Sequence, residues 1–481
     1  MKNKLGPLLY MAIVVGFSSC ASYQTSTKEF RNSWDLGDEV SALSNLEKAG
    51  QSIQAGHDEE LLWNLEMITT SRANKANELT DLHIDRAKSI ADENFGGGLI
   101  DPSSKGIGEY VGHFHDRNML EIYRTIRALE SKNNARAQTA LTELKFKRQE
   151  AEEINRKRII DIESKANERK DLKYSEFLES GEIDQNELVK QEIAEKYQEF
   201  YNPMGDYLRL ILTNRGGEQF DFGTTKENLS KTIGENVSFL QGEEKISPTD
   251  SNSTTYVFIE TGSAPYRIEK KFRLPLVLFY NGMPPGGVLY VPFSLPQLNY
   301  RDDYDRQFTL KTEAHSKQME ILTDMDSVVS AEFKAKLPGE IAKALIQTVL
   351  AVASQVAIEE ATKDQQQDNL GVFILATVAK VAAAEAFTQA DDRSWYSLPK
   401  QIMVQKIATP KNGKISIRAG SSSETSFDVD PNNQTNFVYL KSIRRGNPIK
   451  VSSSFGFEQG LAEFYHPELH KIFATNHWQN H

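Results

Sequence analysis

Pro248-Thr249-Asp250-Ser251-Asn252-Ser253-Thr254-Thr255, followed at once by Tyr256-Val257-Phe258-Ile259, is where the chain changes its period. Polar and turn-forming residues give way to four consecutive aromatic or β-branched ones, the composition of a strand buried on both faces. Upstream, apolar residues recur every three or four positions, as on a helix with one buried face. The runs are Leu36, Val40, Leu43, Leu46; Leu61, Leu62, Leu65, Ile68; Leu79, Leu82, Ile84, Ala87, Ile90; Met119, Ile122, Tyr123, Ile126, Leu129; and Ala137, Leu141, Leu144. Asp58 is placed to cap the second run, and Asn133-Asn134 breaks the chain before the last. Downstream, short runs at 272–280, 288–293, 308–312, 401–407, 414–417, 426–429, 436–440 and 449–451 read as further strands divided by Asn, Gly and Pro. The expected fold class is α+β. An irregular tetratricopeptide-like helical half spans 30–241 and a linker 242–254. A β-sandwich-like half follows over 255–455, then a C-terminal tail over 456–481. The turns at Asn74-Lys75, Asn133-Asn134 and Gly216-Gly217 lie further apart than the roughly 34 residues of a regular array, so a few irregular hairpins are expected rather than a solenoid.

Two segments stand apart. Residues 147–199 are rich in charge of both signs, with Glu152 four before Arg156, Glu153 before Lys157 and Asp161 before Lys165, the favourable helical order. Ile154, Ile159 and Ile162 would make the seam of a partner-binding coiled coil, but no heptad is sustained, and a solvated single helix accounts for the same pattern. Residues 331–359 and 370–390 are Ala-rich and apolar on most sides and read as a helical hairpin, 331–390, inserted in the β half. Lys343, Gln347, Gln355, Lys380 and Glu385 interrupt it at a cost too high for lipid, so it should pack between the halves.

The first residues carry an address. Lys2 and Lys4 precede an apolar run from Leu8 to Phe17, then Ser18-Ser19-Cys20-Ala21-Ser22. The run is half the roughly 20 residues that span a bilayer as a helix, so residues 1–19 read as a signal peptide. Cys20, the single cysteine, stands at the cleavage point behind two small residues and resembles a bacterial lipobox. The resemblance implies a lipidated Cys20, a tether over 20–29 and, with Ala21 in place of an acid, the periplasmic side of the outer membrane. One cysteine excludes an internal disulfide. A net charge of −11 argues against nucleic acid as a partner, which needs a basic stripe. The expected partners are other envelope proteins and the membrane.

Further landmarks occur in order: Phe200-Tyr201-Asn202-Pro203-Met204-Gly205-Asp206, Phe258-Ile259-Glu260-Thr261-Gly262-Ser263-Ala264-Pro265, Leu337-Pro338-Gly339-Glu340, and Asp391-Asp392-Arg393-Ser394-Trp395-Tyr396. Over about residues 30–455 the chain resembles a family of bacterial envelope lipoproteins with a tetratricopeptide-like N-terminal half. That resemblance implies an address and an architecture and supplies no mechanism.

Candidate chemistry is sparse. Arg393, Trp395 and Tyr396 could form an interface, with stacking area and an anion fork, or a hinge in which Trp395 plugs the domain junction. Gly282-Met283-Pro284-Pro285-Gly286-Gly287 lacks the Lys-Ser/Thr of a phosphate loop and reads as a hairpin turn. His466 and His470, four apart after Pro467 opens a helix, share a face as a metal pair does, and His477 and His481 repeat the spacing. No Glu follows His466, so metalloprotease chemistry is not indicated, and a polar tail is the plainer reading. His113-Phe114-His115 is a weaker candidate. No nucleophile elbow, dinucleotide fingerprint or Walker motif occurs, and no catalytic residue or cofactor is expected. The functional expectation is an outer-membrane-anchored scaffold for protein interaction in an envelope assembly. The alternative is a cell-wall (peptidoglycan)-active enzyme, or a direct regulator of one, that binds glycan near Trp395.

Overall fold

The computed structural model describes residues 23–53, 57–93, 109–216, 222–241, 243, 252–275, 290–362, 390–420 and 423–458. Helices α1 (Tyr23–Ser26) and α2 (Lys28–Asp35) open it. Tyr23, Thr27, Phe30 and Trp34 follow one another at steps of four, three and four, a single helical face, and all four are buried. The tether expected over 20–29 is therefore corrected from residue 23 onward, where an aromatic face pins the chain to the body.

Four longer helices follow, α3 (Glu39–Gly50), α4 (Glu60–Ala73), α5 (Asn77–Glu93) and α6 (Phe114–Glu130), then the 35-residue α7 (Asn134–Glu168). Asp58 does not cap α4; the cap position is Glu59, which makes no side-chain bond there. Asn133 does cap α7, its Oδ1 accepting from the Arg136 N–H at 3.1 Å. The α4–α5 and α6–α7 links are built alike. In the first, Lys75 (φ 58°) has its N–H on Arg72 O at 3.1 Å and the Ala76 N–H lies on Ser71 O at 2.9 Å. In the second, Lys132 (φ 57°) bonds Leu129 O at 3.0 Å, and Asn133 bonds Ala128 O at 2.7 Å. Both are Schellman endings in which a lysine takes the left-handed position usually given to glycine. Short helices α8 (Tyr174–Glu179) and α9 (Gln191–Ala194), then α10 (Pro203–Gly216), α11 (Phe222–Ile233) and α12 (Ser238–Gln241), complete the helical half.

The strands are β1 (Thr254–Thr261), β2 (Tyr266–Pro275), β3 (Tyr290–Asn299), β4 (Phe308–Lys311), β5 (Ser316–Gln318), β6 (Glu320–Asp324), β7 (Gln401–Ala408), β8 (Lys414–Ala419), β9 (Thr425–Asp428), β10 (Thr435–Ser442) and β11 (Lys450–Phe457). They form a five-stranded sheet in the order β11-β10-β1-β7-β6, a four-stranded sheet β5-β4-β8-β9 and the pair β2-β3. β1 is central, parallel to β10 and antiparallel to β7. Val257 and Ile259 on one face join Val438, Leu440, Phe308, Leu310, Ile415 and Ile417 in a cluster between the two larger sheets. Tyr256 and Phe258 on the other face meet the helices. Cross-strand rings stack there, Tyr256 on Phe437 at 5.5 Å and Phe258 on Tyr439 at 5.0 Å. The unbroken apolar run quoted first is thus a strand covered on both faces, by helices and by a second sheet.

The stretch read as a linker is anchored at both ends. Glu243 is inaccessible, accepts the Tyr256 hydroxyl at 3.0 Å and pairs with Lys406 at 3.2 Å. Thr254 already belongs to β1, and residues 244–251 lie outside the described residues. The first arm of the inserted hairpin is α13 (Met325–Thr362), which begins six residues before the expected 331 and carries Pro338 inside; 363–389 lie outside the described residues. α13 packs against α7 and β3. At Gly339, Ile159 and Ile162 of α7 come so close that an added Cβ would lie 3.5 Å and 4.0 Å from them. Two of the three isoleucines read as a coiled-coil seam therefore meet a helix of the same chain. Among the described residues no helix is long and apolar enough to cross a membrane.

Candidate functional site

Two buried carboxylates join the helical half to the rest. Glu66 lies on the inner face of α4, fully inaccessible. The backbone N–H groups of Tyr396 and Ser397 donate to it, the latter at 3.0 Å, and so does the Ser397 hydroxyl. Burial pushes its carboxyl up to about 7, against the lowering by these donors and by Arg31. Glu332 on α13 mirrors this arrangement. It accepts the N–H groups of Phe114 and His115 at 2.8 Å each, lies 2.6 Å from His115 Nδ1 and pairs with Lys336. Those amides open α6, so a carboxylate from a distant helix satisfies donors that α6 cannot satisfy itself and meets the positive end of its dipole. Burial opposes the charge on Glu332, but Lys336 and His115 outweigh it and hold the carboxyl well below its usual range.

The segment after residue 390 threads between these fasteners. The Arg393 guanidinium forks onto Asp391 at 2.9 Å and 3.0 Å and faces the Tyr110 ring at 5.2 Å. Trp395 is 1% exposed; its Nε1–H reaches Thr69 Oγ1 and Ser397 Oγ, each at 3.2 Å, and its ring lies 5.9 Å from that of Tyr123. The Tyr396 ring has Arg31 at 4.6 Å and Arg301 at 4.1 Å, and its hydroxyl donates to Asp35 at 2.6 Å. The candidate interface at Arg393, Trp395 and Tyr396 is thus an interface within the chain, out of reach of a glycan or a folded partner. His113 and His115 stack at 5.3 Å beside it. Among the described residues no group of His, Cys, Asp or Glu could hold a metal. Cys20, the loop 282–287 and His466 and His470 lie outside the described residues.

Gln24, in α1, reaches this same seam. The Gln24 side chain donates to the backbone oxygens of Arg267 and Asp392 at 3.4 Å and 3.1 Å. Beside it opens a cleft of about 140 Å³ between α7, α13 and residues 109–113, lined by Arg158, Arg267, Lys336 and Lys343. Burial lowers the Arg158 pKa below that of an ordinary guanidinium. The carboxylates there are engaged, Asp391 by Arg393, while Glu340 lies 3.9 Å from Arg267.

Sequence reading missed both fasteners. For Glu66 a signal was present, since it is the single charge in Leu61-Leu62-Trp63-Asn64-Leu65-Glu66-Met67-Ile68-Thr69-Thr70 and falls on the buried face. Glu332 stands among other charges, and nothing local separates it from Lys334 or Lys336. No family model, curated protein or solved structure matches the chain.

Proposed function

We propose that the chain is a lipoprotein held at the periplasmic face of the outer membrane through Cys20, where it acts as a scaffold joining other envelope proteins. On this reading the paired hairpins α4–α5 and α6–α7 are tetratricopeptide-like units, and the two larger sheets form a sandwich-like body behind them. The observation that carries it is the burial of Tyr23, 1% exposed, only three residues after the lipobox cysteine. Three residues reach about 11 Å at most, so lipid on Cys20 would draw the folded body against the bilayer. The cations of the cleft beside Gln24 would then face the headgroups, where basic residues gain from anionic lipid. The outer face of α7, with Glu153–Lys157 and Asp161–Lys165 pairs at 2.7 Å each, would remain for protein contacts.

Cys20→Ser tests the anchor. Expected is an unprocessed or soluble precursor in fractionated cells, and a crosslinked partner list that depends on Cys20. Unchanged fractionation, both in this variant and under inhibition of lipoprotein signal peptidase, would sink the proposal. Binding of peptidoglycan by the purified mature chain, with no crosslinked protein partner, would favour the cell-wall reading.

A further inference from the structure

The cleft beside Gln24 holds more hydrogen-bond donors than its own acceptors take up. A smaller cavity of about 50 Å³ adjoins it and shares Val111, Gly112, Asn155, Arg158 and Lys336 with it. Arg117, Arg158 and Lys336 line the smaller cavity, and no carboxylate does. In the larger one Asp391 is held by Arg393, Glu340 lies 3.9 Å from Arg267, and Glu109 stands on the exposed rim. Lys336 pairs with Glu332, and Arg117 donates to the backbone oxygens of Val111 and Ala91. Three further donors on the walls have no partner among the described residues: the backbone N–H groups of Val111 and Gly112 and the half-buried Lys343 ammonium. Gly112 takes a φ of 80°. Consecutive N–H groups at such a turn form the kind of concavity that holds anions. The field there is positive. Burial pushes the His113 imidazole well below its ordinary range, and Arg267 and Lys336 push it the same way against Glu332. Burial lowers Arg117 to about 10, with Arg158 adding to the shift.

We infer that this cleft binds a phosphate group, carried by a lipid headgroup or by a small soluble ester. A surplus made only of donors calls for a ligand that only accepts, which excludes a sugar, whose hydroxyls bring a donor with each acceptor. A phosphate presents acceptors in several directions, as donors arriving from α7, α13 and residues 111–112 require. At about 140 Å³ the cleft is smaller than the roughly 300 Å³ at which drug-sized pockets begin, so it takes a headgroup and little more. Ile159 and Ile162 on its wall suit the carbon next to the phosphate. The choice of a lipid as the source rests on the lipoprotein reading; the phosphate site itself does not.

Titration of the lipidated chain in non-ionic detergent, at fixed ionic strength, with inorganic phosphate, glycerol 3-phosphate and dihexanoyl phosphatidylglycerol tests it. Expected is saturable binding of at least one of the three, with a Kd below about 1 mM. Lys343→Gln should weaken that binding about tenfold, the equivalent of one charge-assisted hydrogen bond, with an unchanged unfolding midpoint. Arg158→Gln should do the same, and it decides the matter if Lys343→Gln fails to fold. Lys145→Gln, outside the cleft, should leave the affinity as it was. Saturation by the phosphatidylglycerol alone supports a headgroup site. Saturation by the soluble ligands alone supports the phosphate site with a free ester as its occupant, whatever Cys20→Ser does to fractionation. No saturation by about 10 mM of any of the three, an affinity untouched in the folded cleft variants, or an equal loss in Lys145→Gln would overturn the site.

Discussion

Glu66 and Glu332 do the same mechanical job with opposite responses to acid. The native carboxyl of Glu66 titrates at about 7, against 4.5 for the free side chain. Between those values the folded state keeps a proton that the unfolded state has released. Stability from this residue therefore falls as pH rises through that window and is lowest above it. The wild-type chain should lose urea resistance relative to Glu66→Gln between about pH 5 and about pH 8; parallel midpoints across that range would contradict it. Glu332 runs the other way. Its native carboxyl is held well below 4.5, so its contribution is present above the unfolded value and is lost as pH falls toward the native one. Glu332→Ala removes the acceptor for two α6 amides and for His115, and should cost about 3–5 kcal/mol near neutrality, as breaking a buried pair does. The difference between wild type and this variant should shrink in acid.

Among the elements, the contact of α7 with α13 offers the cleanest test. Gly339 lies inside α13, where glycine costs about 0.5–1 kcal/mol relative to alanine. A Cβ there would meet Ile159 and Ile162 at ordinary contact distances, 3.5 Å and 4.0 Å. Gly339→Ala should raise stability by about 0.5–1 kcal/mol, read as a shift in the urea midpoint at unchanged slope, whereas Gly339→Leu should lower it by wedging the helices apart. Much at this scale was legible. The helical periods give α3 to α7 and the β-branched runs give nine of the strands, because each pattern is local to the segment that forms it. β5 and β6 went unread: Ser316, Lys317 and Gln318 are all exposed at a sheet edge, so no buried face writes a period into β5, and in the five residues of β6 the two buried ones, Leu322 and Thr323, are adjacent rather than alternating. The row Ile154, Ile159 and Ile162 reads as a solvated helix in preference to a coiled-coil seam, and neither reading finds its partner, because an isoleucine row on a charged helix looks the same whether it faces another chain or Gly339 of this one. The parallel pairing of β1 with β10 was equally silent, since register with a strand 181 residues on leaves no mark in either sequence.

Taken whole, the molecule has no clean boundary at residue 242. A single buried cluster contains Tyr23, Leu65 and Tyr123 from the helices together with Phe258, Trp395 and Phe457. A protease site engineered at Thr249–Asp250 should therefore yield two fragments that co-elute and unfold in one transition, not two separable domains. Fragments that part on gel filtration and melt independently would refute this. The place of β1 also sets an order of events. Its two neighbours, 401–408 and 435–442, are synthesised well after it. Until they arrive β1 has bare edges, and the helices made first lack the sheet they pack on. Closing contacts over such sequence separations is slow. For a chain exported in extended form that slowness is useful, because the leading residues stay threadable until the trailing ones have followed. The same interval leaves an apolar strand unpaired, so export to the proposed envelope address would call for a holding chaperone on the far side.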